Sequence, residues 1–257
     1  MSIWSNPVML GGSGGGGSTI VSKTITANGT YNASADNANG YDPVVVNVSG
    51  GATYNIHPVS VISSGSLLFE AELDGVSNGV SGLSIVGSMG SPGVFFGSAN
   101  CIFADMESGN RDQVIYAVVK SMTTGGNYQG VGSNYINGRN NAPNIFTSSS
   151  QWLASVYGSD TGTGVTSTVY HVLSISINAS TKECDYYIDG VSYGTKSFSN
   201  CGRYPSIGGG TVNGTSVVSS GDMSVLYAAI AAEYHSSATV IANHQALMTR
   251  YASIIGT

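Results

Sequence analysis

The sequence predicts an all-β protein: a two-sheet antiparallel jelly-roll sandwich with a short C-terminal helix, preceded by a small N-terminal β-hairpin module and a flexible glycine-rich arm. Short apolar runs recur roughly every ten residues after Gly51, separated by Gly, Asn and Ser, and this spacing is typical of a sandwich. Apolar residues at helical spacing appear in the last segment of the chain. Hydrophobic residues make up 41% of the 257 residues, which is enough to fill a large core.

The first element is an apolar peptide on a flexible linker, residues 1–18. The linker, "GGSGGGGS" at 11–18, has no side chains that could pack. We expect the peptide before it to anchor the chain to a partner protein through its apolar side chains, the alternative being a disordered tail. These side chains are Ile3, Trp4, Val8, Met9 and Leu10.

Residues 19–50 predict a small β module for attachment or oligomerisation. "KTITANGTY" alternates like a strand, and "DPVVVNV" reads as a second strand after a turn-rich loop. Because an isolated hairpin is marginal in water, it must pack on another body or on copies of itself, and we expect a homo-oligomer, with a trimer favoured. The segment resembles a module common in structural proteins of bacteriophages that infect Gram-positive bacteria.

A hairpin is predicted in "SISINASTKECDYYIDGVSYGTKSF", with Asp189–Gly190 as a two-residue turn. This register places Lys196 opposite Cys184 and leaves Cys201 out of line. We therefore expect reduced, buried cysteines at 101, 184 and 201, and a Cys184–Cys201 disulfide would require a bulge in the second strand. We expect Ile175 and Tyr187 on one sheet surface, with Tyr186 and Ile188 on the other.

The last element is a helix in "SSATVIANHQALMTRYA", capped by Ser236 or Ser237. Its apolar residues repeat at helical spacing, and His244 is expected at its surface.

Charge and hydropathy along the sequence argue against a nucleic-acid partner, a secretory signal and a membrane span. The net charge is −6 with a pI near 4.9, and Lys and Arg form no cluster, so a nucleic-acid partner is not expected. We also expect no secretory signal and no membrane span, since the N-terminus lacks a basic region and no apolar run reaches about 18 residues.

Residues 52–257 resemble the concanavalin A-like lectin/glucanase superfamily in its laminin-G-like form. The resemblance is carried, in order, by "QVIYAVVKSM", "VYHVLSISINASTKECDYYIDGVSYGTKSF", "PSIGGG" and "GDMSVLYAAIAAEYHSSATVIANHQALMTRY". It implies a jelly-roll domain and a structural role for His171, in the aromatic-His position. It implies no particular activity, because the superfamily contains lectins, glycosidases and structural domains.

The strongest catalytic candidates are Glu70, Glu72 and Asp74, which would share one face of a strand as paired carboxylates do in glucanases of this fold. Their order departs from the glucanase pattern, and we expect this polar face to lie in solvent. No hydrolase triad or zinc spacing is present, so the sequence predicts no enzyme and no cofactor. A Ca²⁺ site has no motif to support it, and Asp160 and Asp222 are its loop candidates.

Sugar binding is the better prediction, because residues 125–152 combine aromatic rings with amide and guanidinium groups. We expect loops at a sandwich edge here. The alternative is that the aromatic residues pack the core or a subunit contact. The candidate binding residues are Tyr128, Asn134, Tyr135, Asn137, Arg139 and Trp152.

Taken together, these features predict a bacteriophage virion structural protein of a tail, baseplate or head fibre. It would be assembled in the host cytoplasm, bind other virion proteins through the N-terminal peptide, and adhere to host-surface or mucosal carbohydrate with avidity from many copies. Three alternatives are a capsid or tail decoration protein without a ligand, a glycoside depolymerase, and a bacterial surface adhesin.

Overall fold

The computed structural model describes most of the chain from the first predicted module to the C-terminus. The described residues are 23–25, 29–31, 44–47, 53–58, 60–76, 94–96, 101–104, 106, 108–134, 142–156, 159–211, 217–218 and 223–256. The proposed anchoring residues Ile3, Trp4, Val8, Met9 and Leu10 lie outside this set.

Most described strands belong to two antiparallel sheets that face each other. The first sheet has the order β1 (Lys23–Ile25), β4 (Thr53–Pro58), β5 (Leu67–Val76), β19 (Met223–Ala231), β8 (Gln113–Ser121), β13 (His171–Asn178), β14 (Glu183–Ile188) and β15 (Val191–Ser197), and β6 (Val94–Phe96) also pairs with β19. The second sheet has the order β12 (Ser159–Thr166), β11 (Gln151–Val156), β10 (Asn144–Ser148), β9 (Gln129–Asn134), β16 (Tyr204–Ile207), β7 (Cys101–Phe103), β3 (Val44–Asn47) and β2 (Gly29–Tyr31). A short pair, β17 (Gly210–Thr211) and β18 (Val217–Val218), stands apart. The predicted two-sheet sandwich is confirmed.

The inter-sheet core is built from alternate residues of both sheets. Ile115, Ala117 and Val119 point inward from β8, and Trp152 and Ala154 point inward from β11. Side chains two residues apart on a strand share a face, so the residues between such positions, such as Tyr116 and Val118 of β8, fall on the opposite surface. Removing this apolar surface from water provides the main stabilisation of the sandwich.

The strands between residues 23 and 47 pair with later strands of both sheets. β1 pairs with β4 in the first sheet, and β3 pairs with β7 in the second. These pairings cross the boundary that the sequence places near residue 50. The role of residues 19–50 in attachment or oligomerisation stays a prediction.

The predicted Asp-Gly hairpin is confirmed. Asp189 and Gly190 both have positive φ, 51° and 79°, as a type I′ turn requires, and Cys184 pairs with Lys196. The assignment of faces was wrong for one residue: Ile175 pairs with Tyr186, so both point into the inter-sheet core while Tyr187 points away. The β13–β14 turn sets this register, which the residue alternation of each strand alone does not fix.

The C-terminal helix α1 (Ser237–Arg250) covers the outer face of the first sheet. Ser236 caps it, as predicted, by accepting a hydrogen bond from the Thr239 N–H. Val240 and Leu247 pack on an apolar layer that includes Tyr116 and Leu226. Both faces of the central strands β8, β13 and β19 are therefore buried. The described residues contain no helical segment with the length and hydropathy of a membrane span.

All three cysteines are buried and free, as predicted. The Cys184 thiol donates to the Lys196 carbonyl, and the Cys201 thiol donates to the Arg111 carbonyl. Burial raises the pKa of Cys184 to about 12 and that of Cys201 to about 11, so both stay protonated at neutral pH.

Candidate functional site

The predicted sugar-binding residues do not form one site. Trp152 is fully buried in the inter-sheet core, so its ring faces no solvent, and Tyr128 is half-buried against the same core. Asn134 ends β9, paired with Tyr204. Tyr135, Asn137 and Arg139 lie outside the described residues.

The same segment instead places an apolar pair on the outer face of the second sheet. Ile145 points into the core, so its neighbour Phe146 points outward from β10. Phe146 pairs with Leu153 of β11 on one side and with Gln129 of β9 on the other. Both Phe146 and Leu153 are half-buried. An aromatic ring and an aliphatic side chain thus lie side by side on a sheet surface.

The next strand has a glycine opposite Leu153 and so adds no side chain beside it. Gly162 of β12 pairs with Leu153, and a Cβ at Gly162 would lie 3.8 Å from a Leu153 methyl group. We call this surface the β10 platform and define it by Phe146 and Leu153 with Gln129, Asn144 and Asp160 around them.

Two buried amides form one side of the β10 platform. Gln129 Nε2 donates to Ser206 Oγ at 2.8 Å and to the Gly209 carbonyl at 3.0 Å, and Asn144 Nδ2 donates to the Ala142 carbonyl at 2.8 Å. These bonds fix both side chains, which are 3% and 5% exposed, in one position beneath the outer surface of the sheet.

Because Gly132 has no side chain, the two amide groups fit beside it. A Cβ at Gly132 would lie 2.1 Å from Asn144 Oδ1 and 2.7 Å from the Gln129 side chain. We expect Gly132→Ala to displace both amides and to lower the free energy of unfolding by about 1–3 kcal/mol, the usual cost of overpacking. Urea denaturation followed by circular dichroism measures it. Gly125→Ala is the matched control, since a Cβ there meets nothing within 4 Å; equal stability of the two variants would contradict this packing.

A carboxylate lies on the other side of the β10 platform. Ser155 Oγ donates to Asp160 Oδ1 at 2.5 Å, which holds this exposed side chain on the outer face of β12. Lys196 Nζ also donates to the neighbouring Ser159 carbonyl. Asp222, the other predicted calcium candidate, lies outside the described residues. Within the described part of the chain, no three His, Cys, Asp or Glu side chains are placed to hold a metal ion.

The glutamate side chains of β5 are buried, so the prediction that this face of the strand lies in solvent was wrong. Glu70 accepts hydrogen bonds from the Val61 and Ile62 N–H groups and from the Tyr227 hydroxyl. Burial raises the pKa of Glu70, and these hydrogen bonds partly oppose the rise. This carboxyl group fastens the segment before β5 to the first sheet.

Glu72 has the same kind of role. It accepts from Arg250 Nε at 2.6 Å and from the Tyr251 hydroxyl at 2.8 Å, and so ties the end of α1 to β5. Neither Glu70 nor Glu72 lies in a cleft that a sugar could enter, which removes the pair proposed for a depolymerase. The side chain of Asp74 is outside the described set.

A separate polar cleft of about 480 Å³ lies where β8 begins. We call it the rim cleft; it is lined by Asn110, Arg111, Asp112, Ala179, Ser180 and Ala232. Asn110 Oδ1 accepts from the Cys201 N–H, and Asp112 Oδ1 accepts from the Ala179 N–H. It contains no aromatic ring, so it lacks the stacking surface that the β10 platform offers.

The sequence analysis singled out residues 125–152 but did not identify the residues that form the β10 platform. Residues 125–152 were expected to be loops because they are rich in Gly and Asn, but they contain β9, β10 and the start of β11. The segment "NIFTS", with the strand-favouring residues Ile145 and Phe146 between polar neighbours, was the signal for a strand, but two adjacent apolar residues do not show which of them points outward.

The fold is shared with solved structures of low sequence identity. One is a mutant of Trypanosoma rangeli sialidase displaying trans-sialidase activity, with 15% identity, 77% of this chain and 32% of that chain covered, and a TM-score of 0.51. Another is T. rangeli sialidase in complex with sialic acid, with 11% identity, coverages of 82% and 45%, and a TM-score of 0.50. A third is the binding domain of Paraclostridial Mosquitocidal Protein 1, with 15% identity, coverages of 71% and 52%, and a TM-score of 0.48. No protein-family model and no curated protein matches the sequence.

This comparison corrects one prediction. The sequence predicted that the protein is not an enzyme, and the similar structures include sialidases, which are enzymes. At these identities the likeness shows a shared β-sandwich. The chain spans 32% to 45% of the sialidase chains cited above, so their activity is not carried over to it.

Proposed function

We propose that this β-sandwich binds carbohydrate on the β10 platform. The observation that carries the proposal is the half-buried pair Phe146 and Leu153, framed by amide and carboxylate side chains. A sugar ring offers an apolar C–H face and a rim of hydroxyl groups. An aromatic ring beside fixed polar groups matches both features.

The polar groups of the β10 platform suit hydroxyl recognition. The exposed Asp160 carboxylate accepts one hydrogen bond from Ser155, and its second oxygen, to which no described residue donates, would accept one from a sugar hydroxyl. Contact with only a few side chains of a sheet surface predicts weak individual binding, which many copies would strengthen through avidity.

The finer proposal is adhesion of a bacteriophage particle to host-surface or mucosal carbohydrate. It is supported by the resemblance of residues 19–50 to a module of phage structural proteins and by the apolar peptide at residues 1–10. In this proposal the peptide binds other virion proteins and the sandwich faces the host. Mass spectrometry of purified particles tests it, and absence of the chain from intact virions would contradict it.

The binding site is tested by replacing Phe146 with alanine. We expect about a fivefold or greater loss of affinity for any bound saccharide, since a stacked ring contributes about 1 kcal/mol or more. Labelled full-length protein is first screened on an array of neutral and sialylated saccharides, sialylated probes being included because one similar structure holds sialic acid. Calorimetry on the strongest ligand then compares the variants.

Arg111→Ala in the rim cleft is the control and is expected to bind as the wild type does. Loss of binding in Arg111→Ala with full binding in Phe146→Ala would move the site to the rim cleft. Silence of correctly assembled wild-type protein on the whole array would favour a decoration protein without a ligand.

A further inference from the structure

His244 lies fully buried between α1 and the first sheet, not at the helix surface as the sequence suggested. Its Nε2 is 2.7 Å from Ser174 Oγ on β13, and its Nδ1 accepts the Gly190 N–H at 2.8 Å. A backbone N–H can only donate, so Nδ1 carries no proton. The ring is therefore neutral and donates from Nε2 to Ser174.

A second proton on this ring has no acceptor. It would sit on Nδ1 and point directly at the Gly190 N–H, which would bring two donors face to face. Gly190 cannot turn away, because it is the second central residue of the type I′ turn, with φ of 79°. Protonation of His244 thus breaks the contact between α1 and the β14–β15 turn.

The groups around His244 do little to stabilise a positive charge. On the first sheet, the Tyr116 and Tyr187 rings lie 5.9 Å and 6.2 Å from the imidazole, centre to centre. The nearest charge is Asp189 in the turn, whose carboxylate is hydrogen-bonded to His171 and to the Val172 N–H. Burial lowers the pKa of His244 to about 4, and Asp189 opposes this fall.

The other described buried histidines differ from His244 in having a carboxylate partner. His235 Nε2 lies 3.0 Å from Glu233 Oε1, and its Nδ1 lies 2.8 Å from the Tyr116 hydroxyl. His171 Nδ1 lies 2.5 Å from Asp189 Oδ2. His235 Nε2 and His171 Nδ1 thus each face a carboxylate oxygen, whereas the ring nitrogens of His244 face a hydroxyl and an N–H group.

We propose that His244 is an acid-sensitive latch whose protonation releases the C-terminal helix from the first sheet. Release would break the Asn243 bond to the Ser63 N–H and expose the apolar layer under Val240 and Leu247. The bonds of Glu72 to Arg250 and Tyr251 hold the far end of the helix, so its first turns are expected to separate before its last.

The direction of the effect follows from proton linkage. The docked ring binds a proton less readily than the free one, so docking is fully favourable above pH 6.5 and weakens as pH falls toward 4. At pH 5 the ratio of undocked to docked helix is expected to be about 30-fold higher than at pH 7.5. Glu233 also loses stabilising bonds on protonation, but its pKa is lowered below 4.5, so it acts at lower pH.

Hydrogen exchange of the full chain tests the latch. The opening constant of a peptide covering Ser237–Arg250, corrected for intrinsic exchange, is expected to rise about 30-fold from pH 7.5 to pH 5, with peptides of β8 unchanged. Unchanged protection of the helix at pH 5 would overturn the proposal.

Two variants separate His244 from its neighbours. His244→Gln keeps an acceptor for Gly190 and a donor for Ser174 without titrating, so its helix is expected to stay docked at pH 5. His235→Gln is expected to keep the pH response. If the helix of the His244→Gln variant does not dock at pH 7.5, an NMR titration of the wild-type His244 imidazole provides the test. A titration midpoint near pH 6.5 with the helix still docked would refute the proposed latch.

Discussion

Replacing Trp152 with alanine is expected to lower the free energy of unfolding by about 3–5 kcal/mol, the range for deleting a large buried aromatic side chain. Trp152 is fully buried at the centre of the inter-sheet core. Its ring closes on the backbone of β9 so tightly that a Cβ at Gly130 would lie 2.9 Å from Trp152 Cζ3. The backbone of β9 therefore cannot move in to fill the cavity that alanine would leave. Urea denaturation followed by circular dichroism gives the value.

Trp152→Phe separates packing from ligand binding. Trp152 Nε1 has no hydrogen-bond partner among the described residues, so phenylalanine loses volume but no hydrogen bond, and we expect a smaller loss of about 1–2 kcal/mol. Val191→Ala, at a 56% exposed position, should leave stability within about 0.5 kcal/mol. A Trp152→Phe variant of normal stability that no longer binds saccharide would contradict the core position of this residue.

Replacing Glu70 with alanine is expected to cost about 3–5 kcal/mol of unfolding free energy. The change leaves two backbone N–H groups and the Tyr227 hydroxyl without their acceptor inside the protein, and each unpaired buried group costs about 1–3 kcal/mol. Guanidinium or urea denaturation at pH 7 measures the loss.

Glu70→Gln is the matched variant. Its remaining carbonyl oxygen can still accept hydrogen bonds, so we expect it to lose less than half of the stability that alanine loses. If the protein is found to cleave a glycoside, Glu70→Gln should leave that rate unchanged, because the side chain does not face a cleft. A well-folded Glu70→Gln variant that loses such activity would show that this carboxylate belongs to an active site.

Local patterns in the sequence were sufficient to predict the scaffold. The Asp189–Gly190 turn specifies its own conformation and therefore the pairing of Cys184 with Lys196, and Ser236 is a cap that needs no distant partner. The regular spacing of short apolar runs predicted the strands in the same way, because strand alternation is a property of neighbouring residues.

The sequence did not reveal what covers the outer face of the first sheet. The sequence predicted that three polar residues, Glu70, Glu72 and His244, face solvent. They are buried because α1 and the segment before β5 pack over them. Their partners are distant in sequence, as with Glu72 and Arg250. Such burial depends on tertiary contacts that local periodicity cannot show.

The residues of the candidate site were not predicted from the sequence, for a different reason. Glycine and asparagine in residues 125–152 suggested loops, and the aromatic residues there were weighed by type and not by strand position. The bulge at Gly130, which shifts the pairing between β9 and β10, puts Gln129 beside Phe146 on the outer surface. No pattern in the sequence predicts that shift in pairing.

Mapping a bound saccharide by ¹⁵N–¹H NMR tests the central claim, carbohydrate binding on the β10 platform, most directly. We expect chemical shifts to change along β10, β11 and β12 around Phe146, Leu153 and Gly162 when the best ligand from the array is added. Shifts confined to the rim cleft around Asn110 and Arg111, or no shifts at saturating ligand, would contradict it.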